Sequence, residues 1–422
     1  MPHTLGALQV AALLVSASYG IGLLFGSGEQ ALSHGMAGGI YGVATAAGML
    51  LLALFARRLW SKGLPIWDVF AHAYGAGLQR PVALLSLVWM AGVLAAQIHG
   101  GVAVMQLLGL ADLPGLTLVL TLLYGASRLD LRFAAGVFAL CLSASALVLV
   151  YAIVSADGMG LYLRAVPEFM HDLSGFQPQQ LWAILLAVSL LVCMGADYQQ
   201  FVLAARTPWA AATGCALAAV ILLAIGFLPS TLVVTMVEKG ALGDVATAKQ
   251  VVPLVLAQVA GTMGAGADTL MLVALSLAAL GSGAAILRAM TDALVSAVPS
   301  GPFSRRQVLT IVALLLGASL AAREQGIVAT MVSVNVVYIA SIGVCFVALM
   351  MGVPLSKRHA SAALTTGFLV SSGVQLAVWA GWTLDGADIL ALTVGLAASL
   401  AASMLLRWRA VRGWVRASGS SR

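Results

Sequence analysis

The chain has 422 residues, 61% of them apolar and only 9% charged, with 21 Lys and Arg against 15 Asp and Glu. A water-soluble domain needs a charged surface that this composition cannot supply over its whole area, so a soluble fold is excluded. The net charge of +6 would suit nucleic acid as a sum, but the basic residues fall between apolar stretches, and no nucleic-acid partner is predicted.

The apolar stretches run to about 18 residues or more, each long enough to cross a hydrocarbon core about 30 Å thick. Backbone polar groups in lipid must be satisfied within their own segment, so these stretches are predicted as helices. Twelve spans are predicted, over residues 5–28, 36–57, 81–110, 113–128, 132–154, 179–198, 208–235, 266–298, 306–322, 326–353, 360–383 and 387–406. The first has no basic n-region and no small-residue cleavage site, and reads as a span instead of a signal peptide. Between the second and third, Leu64 to His72 is too short and polar to cross and reads as an interfacial helix. Residues 251–263 are apolar but also short, and are expected as a re-entrant or surface helix outside the membrane. The longest connections, 155–178 and 236–265, cannot build a core of their own. Cys141, Cys193, Cys215 and Cys345 lie in apolar segments, as small hydrophobes without metal or disulfide spacing.

Charge placement tests this count. With the N-terminus in the cytoplasm, alternation puts 17 Lys and Arg on the inner side, from Arg57 to Arg305 and Arg422, and four on the outer: Arg164, Lys239, Lys249 and Arg323. That bias is what the positive-inside rule demands. Both termini are therefore expected in the cytoplasm, in a multi-pass protein of the cytoplasmic (inner) membrane. The basic tail after Trp408 is expected on the anionic inner leaflet.

The first span carries Gly20, Gly22, Gly26 and Gly28 within nine residues, beside Ser18, Tyr19 and Glu29. Each Gly weakens a helix by roughly 1 kcal/mol relative to Ala. Such a run means either close helix packing or a discontinuous helix whose freed carbonyls bind an ion or substrate. Five spans later the sixth ends Cys193-Met194-Gly195-Ala196-Asp197-Tyr198, again a glycine among polar groups. The third and eighth spans are both long, so both are expected to tilt. The five-span offset predicts an inverted repeat of spans 1–5 and 6–10.

Ionisable and polar groups at membrane depth attract functional readings. Asp197 is expected either as a proton-coupling carboxylate or as an interfacial acid paired with Arg206. Arg288 and Asp292, four apart, are expected to pair on one face. Gln97 and His99 sit in the third span, where His99 is either a proton relay or a hydrogen bond between helices. Asn335 and Tyr338 share a face of the tenth span, towards a cavity or a packed neighbour. No phosphate-binding loop, HExxH pair or Ser-His dyad is present, so neither ATP, a metal cofactor nor an enzyme activity is predicted.

Three local matches carry a family resemblance: Ala17-Ser18-Tyr19-Gly20-Ile21-Gly22 with Gly35-Met36-Ala37-Gly38-Gly39, Gln200 to Arg206, and Ala278-Ala279-Leu280-Gly281-Ser282-Gly283. The sequence resembles the sodium:solute symporter family, which has the inverted-repeat fold of the bacterial leucine transporter. The resemblance implies an all-α integral membrane protein of about 12 transmembrane helices, with a 5+5 inverted repeat and discontinuous helices 1 and 6. It implies one transporter domain over residues 1–422, with repeats at about 5–154 and 179–353 and two extra C-terminal helices at about 360–406. The implied function is secondary active uptake of a small organic solute by ion-coupled symport. Alternatives are proton coupling in the same fold, or a transporter-like sensor or subunit without coupled transport. Na+ is the implied coupling ion, held by carbonyls near Ala17 and Gly20, the carbonyl of Ala279 and the hydroxyl of Ser282. The second hydroxyl position of the family motif is Gly283 here, and Phe201 stands where the family has Arg. Ser18, Tyr19, Gln97, Met194 and Asn335 are the expected substrate contacts.

Overall fold

A computed structural model describes residues 4–129, 131–242, 247–298, 306–323 and 325–419; of 131–139, 142 and 406–419 it describes the backbone alone. Of the basic residues counted above, Arg305 and Arg422 lie outside the described residues, as do the side chains of Arg132, Arg407, Arg409, Arg412 and Arg416. Among the described residues there are nineteen α-helices and no strand. The protein is a multi-pass α-helical membrane protein.

The chain opens with α1 (Ala7–Ser18) and α2 (Ile21–His34), separated at Tyr19 and Gly20, then turns through Gly35 into α3 (Ile40–Lys62). Gly35 sits at φ +55°, a left-handed conformation that L side chains rarely adopt, and this ends α2. The interfacial helix α4 (Ile66–Tyr74) leads to α5 (Gln79–Leu107), α6 (Asp112–Ala126) and α7 (Leu131–Ser155). Two short helices, α8 (Met159–Leu163) and α9 (Ala165–Asp172), fill the connection to α10 (Pro178–Met194), which breaks at Gly195 before α11 (Ala196–Leu203). The two halves meet at 42°. Then come α12 (Pro208–Gly226), α13 (Leu228–Glu238), α14 (Val251–Gly261), α15 (Ala267–Ala297), α16 (Arg306–Ala321), α17 (Ile327–Met351), α18 (Lys357–Trp379) and α19 (Ala387–Gly419).

Among the described residues, seven segments are individually long and apolar enough to cross a membrane, and eight if α10 with α11 is one span. Each of the twelve predicted stretches coincides with a helix or a broken pair of helices, and both predicted interruptions are present. The stretch at 251–263 is α14, whose buried face packs on α2, α7 and α15. The connection at 155–178 is tied down. Asp172 accepts a hydrogen bond from Met36 N at 2.8 Å, and Phe176 stacks on His34 at 3.8 Å.

In lipid no hydrophobic gain drives helices together, so small residues that allow close approach matter most. α3 packs extensively on α12, and at their crossing a Cβ on Gly42 would stand 2.8 Å from Gly226 Cα. α5 is the central post, packed on α15, α16 and α17, with Trp89 fully buried against Tyr338. Pairing within the bundle differs from expectation at one point. Asp292 bonds Arg306 at 2.7 Å, whereas Arg288 donates to Leu129 O at 3.0 Å. The guanidinium of Arg288 is drawn to a carbonyl at the end of α6, and the next helix supplies the partner for Asp292.

Candidate functional site

The two breaks face each other in the interior. At the first, Tyr19 N donates to Val15 O, and Leu23 and Leu24 N both donate to Gly20 O. Gly20 thus starts α2 as its N-cap, and the carbonyls of the last turn of α1, Ala17 among them, lose their in-helix donors. At the second, Gly195 adopts an extended conformation. The carbonyls stranded there are taken up by side chains: Gln199 Nε2 donates to Cys193 O at 3.0 Å, and Tyr338 Oη donates to Met194 O at 3.3 Å. The Ser18 hydroxyl donates to Leu14 O at 2.8 Å and faces the Tyr198 hydroxyl, so the breaks adjoin.

Asp197 opens α11. Its carboxylate accepts from Tyr198 N, an arrangement favoured at a helix N-terminus. It lies within electrostatic reach of Tyr41, Tyr198 and Tyr338, and its Oδ1 is sealed from solvent with no hydrogen-bond partner. The alternative ion pair with Arg206 is not formed: Arg206 is exposed, with Nη2 3.0 Å from where a Cβ on Gly6 would stand. Three further buried polar atoms in this region have no protein partner: Tyr19 Oη, Gln97 Oε1 and Asn335 Oδ1. Buried polar atoms in folded proteins are nearly always satisfied; these four fall on residues expected at the site, while others, such as Thr235 Oγ1 and Ser371 Oγ, lie elsewhere in the bundle.

Ser282 and Gln97 meet at Gly20. A Cβ on Gly20 would stand 3.7 Å from Ser282 Oγ and 3.9 Å from Gln97 Nε2. Three other hydroxyls of α15 donate back into their own helix, Ser276 to Leu272 O, Thr291 to Leu287 O and Ser296 to Ala293 O. Ser282, half-buried, makes no such bond among the described residues. Ala279 is buried one turn before it, and Ala17 is exposed on the last turn of α1.

Not every expected residue joins this centre. The Met194 side chain points away, its Cε 3.8 Å from where a Cβ on Gly343 would stand, and lines an apolar cavity of about 500 Å3 between α10, α17 and α19. Only its carbonyl faces the break. A second cavity, about 350 Å3 and polar, lies between α6, α15 and α16, lined by Arg128, Arg288 and Arg306. His99 accepts at Nδ1 from Lys249 Nζ, 3.2 Å away on the connection before α14. Beside it, Gln250 Nε2 donates to Gln106 Oε1 at 2.7 Å. Across the same end of the bundle Glu29 Oε2 accepts from Ile327 N at 2.8 Å and caps α17. Tyr338 and Gln199 are the contributors that sequence reasoning undervalued; Gln199, a polar side chain just past the glycine of the second break, carried a local signal, whereas Tyr338 reaches that break from α17.

No family model matches the sequence, and no curated protein matches it. Solved structures do. A Na+-coupled sialic acid symporter in its substrate-bound outward-open state superposes with a TM-score of 0.57 at 15% identity, covering 94% of this chain and 95% of that one. Mhp1, a nucleobase-cation-symport-1 family transporter, in its inward-facing conformation gives 0.59 at 16% identity over 97% and 92%. A manganese transporter of Eremococcus coleocola gives 0.56 at 15% over 96% and 94%. The chain shares the leucine-transporter-type fold of these proteins over nearly its full length.

Proposed function

We propose that this protein is a secondary active transporter that carries a small organic solute across the cytoplasmic membrane by alternating access, coupled to an inward sodium gradient. The observation that carries the reading is the meeting of two broken helices in the interior, where Ser18 at the first break faces Tyr198 at the second and Gln97 and Ser282 converge on Gly20. Freed helix ends near the centre of a bundle are what a small solute and an ion need in a medium without water. The shared fold supports it, since the structures it matches are symporters and other transporters.

In this reading twelve spans form two inverted repeats of five, about 5–154 and 179–353, with α18 and α19 added, and both termini are cytoplasmic. Substrate lies between the breaks, against Ser18, Tyr19, Gln97 and Asn335. The cation lies at the junction of α1 and α15, with carbonyls near Ala17 and Gly20, the carbonyl of Ala279 and the hydroxyl of Ser282. The α14 end is the outer end. It is closed by Lys249 on His99 and by Val252 against Gly28. α2 is buried throughout Ile21 to Gly28, while Ser16 and Ala17 of α1 are exposed, which suits an inward-facing state. Ion binding shifts the balance between states only through different affinity for each.

Thermal stability of the purified protein against a metabolite library, in sodium, potassium or choline salts, tests this first, because a ligand of the folded state raises stability by mass action. A metabolite whose shift grows with sodium alone supports the reading. Ser282→Ala is expected to cut sodium-dependent uptake of that metabolite at least tenfold per molecule at near-normal abundance; equal uptake removes Ser282 from the site. Proton coupling in the same fold is the second reading, favoured by the sealed Oδ1 of Asp197. It predicts shifts that follow pH and ignore sodium.

A further inference from the structure

The position after Ser282 is Gly283, which offers a cation no side-chain oxygen. The surroundings of that glycine say what replaces it. A Cβ on Gly283 would stand 2.5 Å from Leu123 Cδ2, 3.3 Å from Gln97 Cβ and 3.7 Å from Gln97 Cγ. The space a second hydroxyl-bearing side chain would occupy is therefore filled by the stem of Gln97, from α5, and by Leu123. The Gln97 stem passes over Gly283 and delivers its amide to Gly20, where Nε2 and Ser282 Oγ stand 3.9 and 3.7 Å from one and the same point. Gln97 is only 3% exposed, and its Oε1 is buried without a partner. A carboxamide can turn over by half a rotation, exchanging oxygen for nitrogen at nearly equal shape, so either end can face Gly20.

The geometry points to Gln97 as a cation ligand of this chain: its amide oxygen takes the place of the hydroxyl absent at Gly283, so that the coordination shell is shared between α1, α15 and α5. The inference rests on the cation site proposed above at the junction of α1 and α15. An amide oxygen is a hard, neutral donor of the kind that alkali and alkaline-earth cations accept. Together with backbone carbonyls and Ser282 it makes a site of neutral oxygens only. Such a site contains nothing that titrates in the physiological range. These oxygens bind a metal cation without exchanging protons themselves, and Asp197 at the adjoining break is the group through which pH reaches the site. Because Gln97 belongs to the helix that also borders the substrate region, cation occupancy fixes α5 against the break at Gly20 and ties the ion to closure around substrate.

The test uses the full-length purified protein and sodium itself as the probe, titrated against choline at constant ionic strength, with apparent sodium affinity read from the thermal shift. Four variants are compared: Gln97→Leu, Gln97→Glu, Ser282→Ala, and Gln97→Ala combined with Gly283→Ser. The expected result is at least a tenfold loss of sodium affinity in Gln97→Leu and recovery in the double variant, where loss of the Gln97 Cγ and a turn of the Leu123 Cδ2 methyl, 2.5 Å from the new Cβ, seat the hydroxyl. Gln97→Glu keeps sodium binding but adds a fall in affinity as pH is lowered through the titration of the new carboxyl, a step absent from the parent protein's profile. That readout remains if Gln97→Leu does not fold. A sodium shift abolished by Ser282→Ala but unchanged in Gln97→Leu, or a pH profile in Gln97→Glu without that added step, overturns the assignment of Gln97 and leaves the cation site standing. No sodium-specific shift in the parent protein overturns both.

Discussion

Tyr338 lies between Asn335 and Ser341 on α17, and its hydroxyl holds the last carbonyl before the break in the sixth span. A buried carbonyl that loses its only donor costs about 1–3 kcal/mol. Tyr338→Phe keeps the packing against Trp89 and removes that donor, so it is expected to lower stability by about 1–2 kcal/mol, seen as a fall in the thermal midpoint; an unchanged midpoint shows that the carbonyl finds another partner. At this scale the sequence was partly legible. Residues whose role follows from near neighbours, such as Gly20 beside Ser18 and Tyr19, could be picked out from the glycine run. Contacts between residues far apart in the chain could not. Gln97 beneath Gly283, Lys249 on His99 and Arg306 on Asp292 join positions whose spacing carries no periodic signal, and the last displaced the expected Arg288–Asp292 pair.

Helices are where the sequence spoke most clearly, because lipid leaves the backbone no other way to satisfy its hydrogen bonds. Every predicted span has its helix, and the ends differ by a few residues where a cap and not hydropathy decides them. The first stretch, expected to close near residue 28, runs to His34 because Gly35 provides the left-handed turn. Hydropathy was silent on the connections, where α8 and α9 form a folded cover pinned by Asp172 on Met36 N. It was silent too on which helices touch. The α3–α12 crossing depends on Gly42 and Gly226 meeting backbone to backbone. Gly42→Val would force those backbones apart at a cost of roughly 2 kcal/mol or more. The expected outcome is a clear loss of folded protein and thermal midpoint, while the same change at Gly125, where nothing lies within 4 Å, is tolerated.

Across the whole molecule one asymmetry gives the arrangement a direction. The α14 end is closed by polar contacts from separate connections, Lys249 to His99, Gln250 to Gln106 and Glu29 to Ile327 N. At the first break the last turn of α1 leaves Ser16 and Ala17 exposed. Under the proposed function the molecule moves a solute by exchanging which end of the bundle is sealed. These polar contacts join an apolar face of α14, Val252 against Gly28 among it, that packs on α2, α7 and α15. A sensor built on this fold would bind its solute and stop there, without moving it against a gradient.

The most direct measurement is therefore uptake of a ligand identified by thermal stabilisation into proteoliposomes holding only this protein, with sodium outside and choline inside. The account predicts accumulation above the external concentration that collapses when sodium is equalised across the membrane. Specific binding of that ligand with no accumulation under an imposed sodium or proton gradient would contradict it.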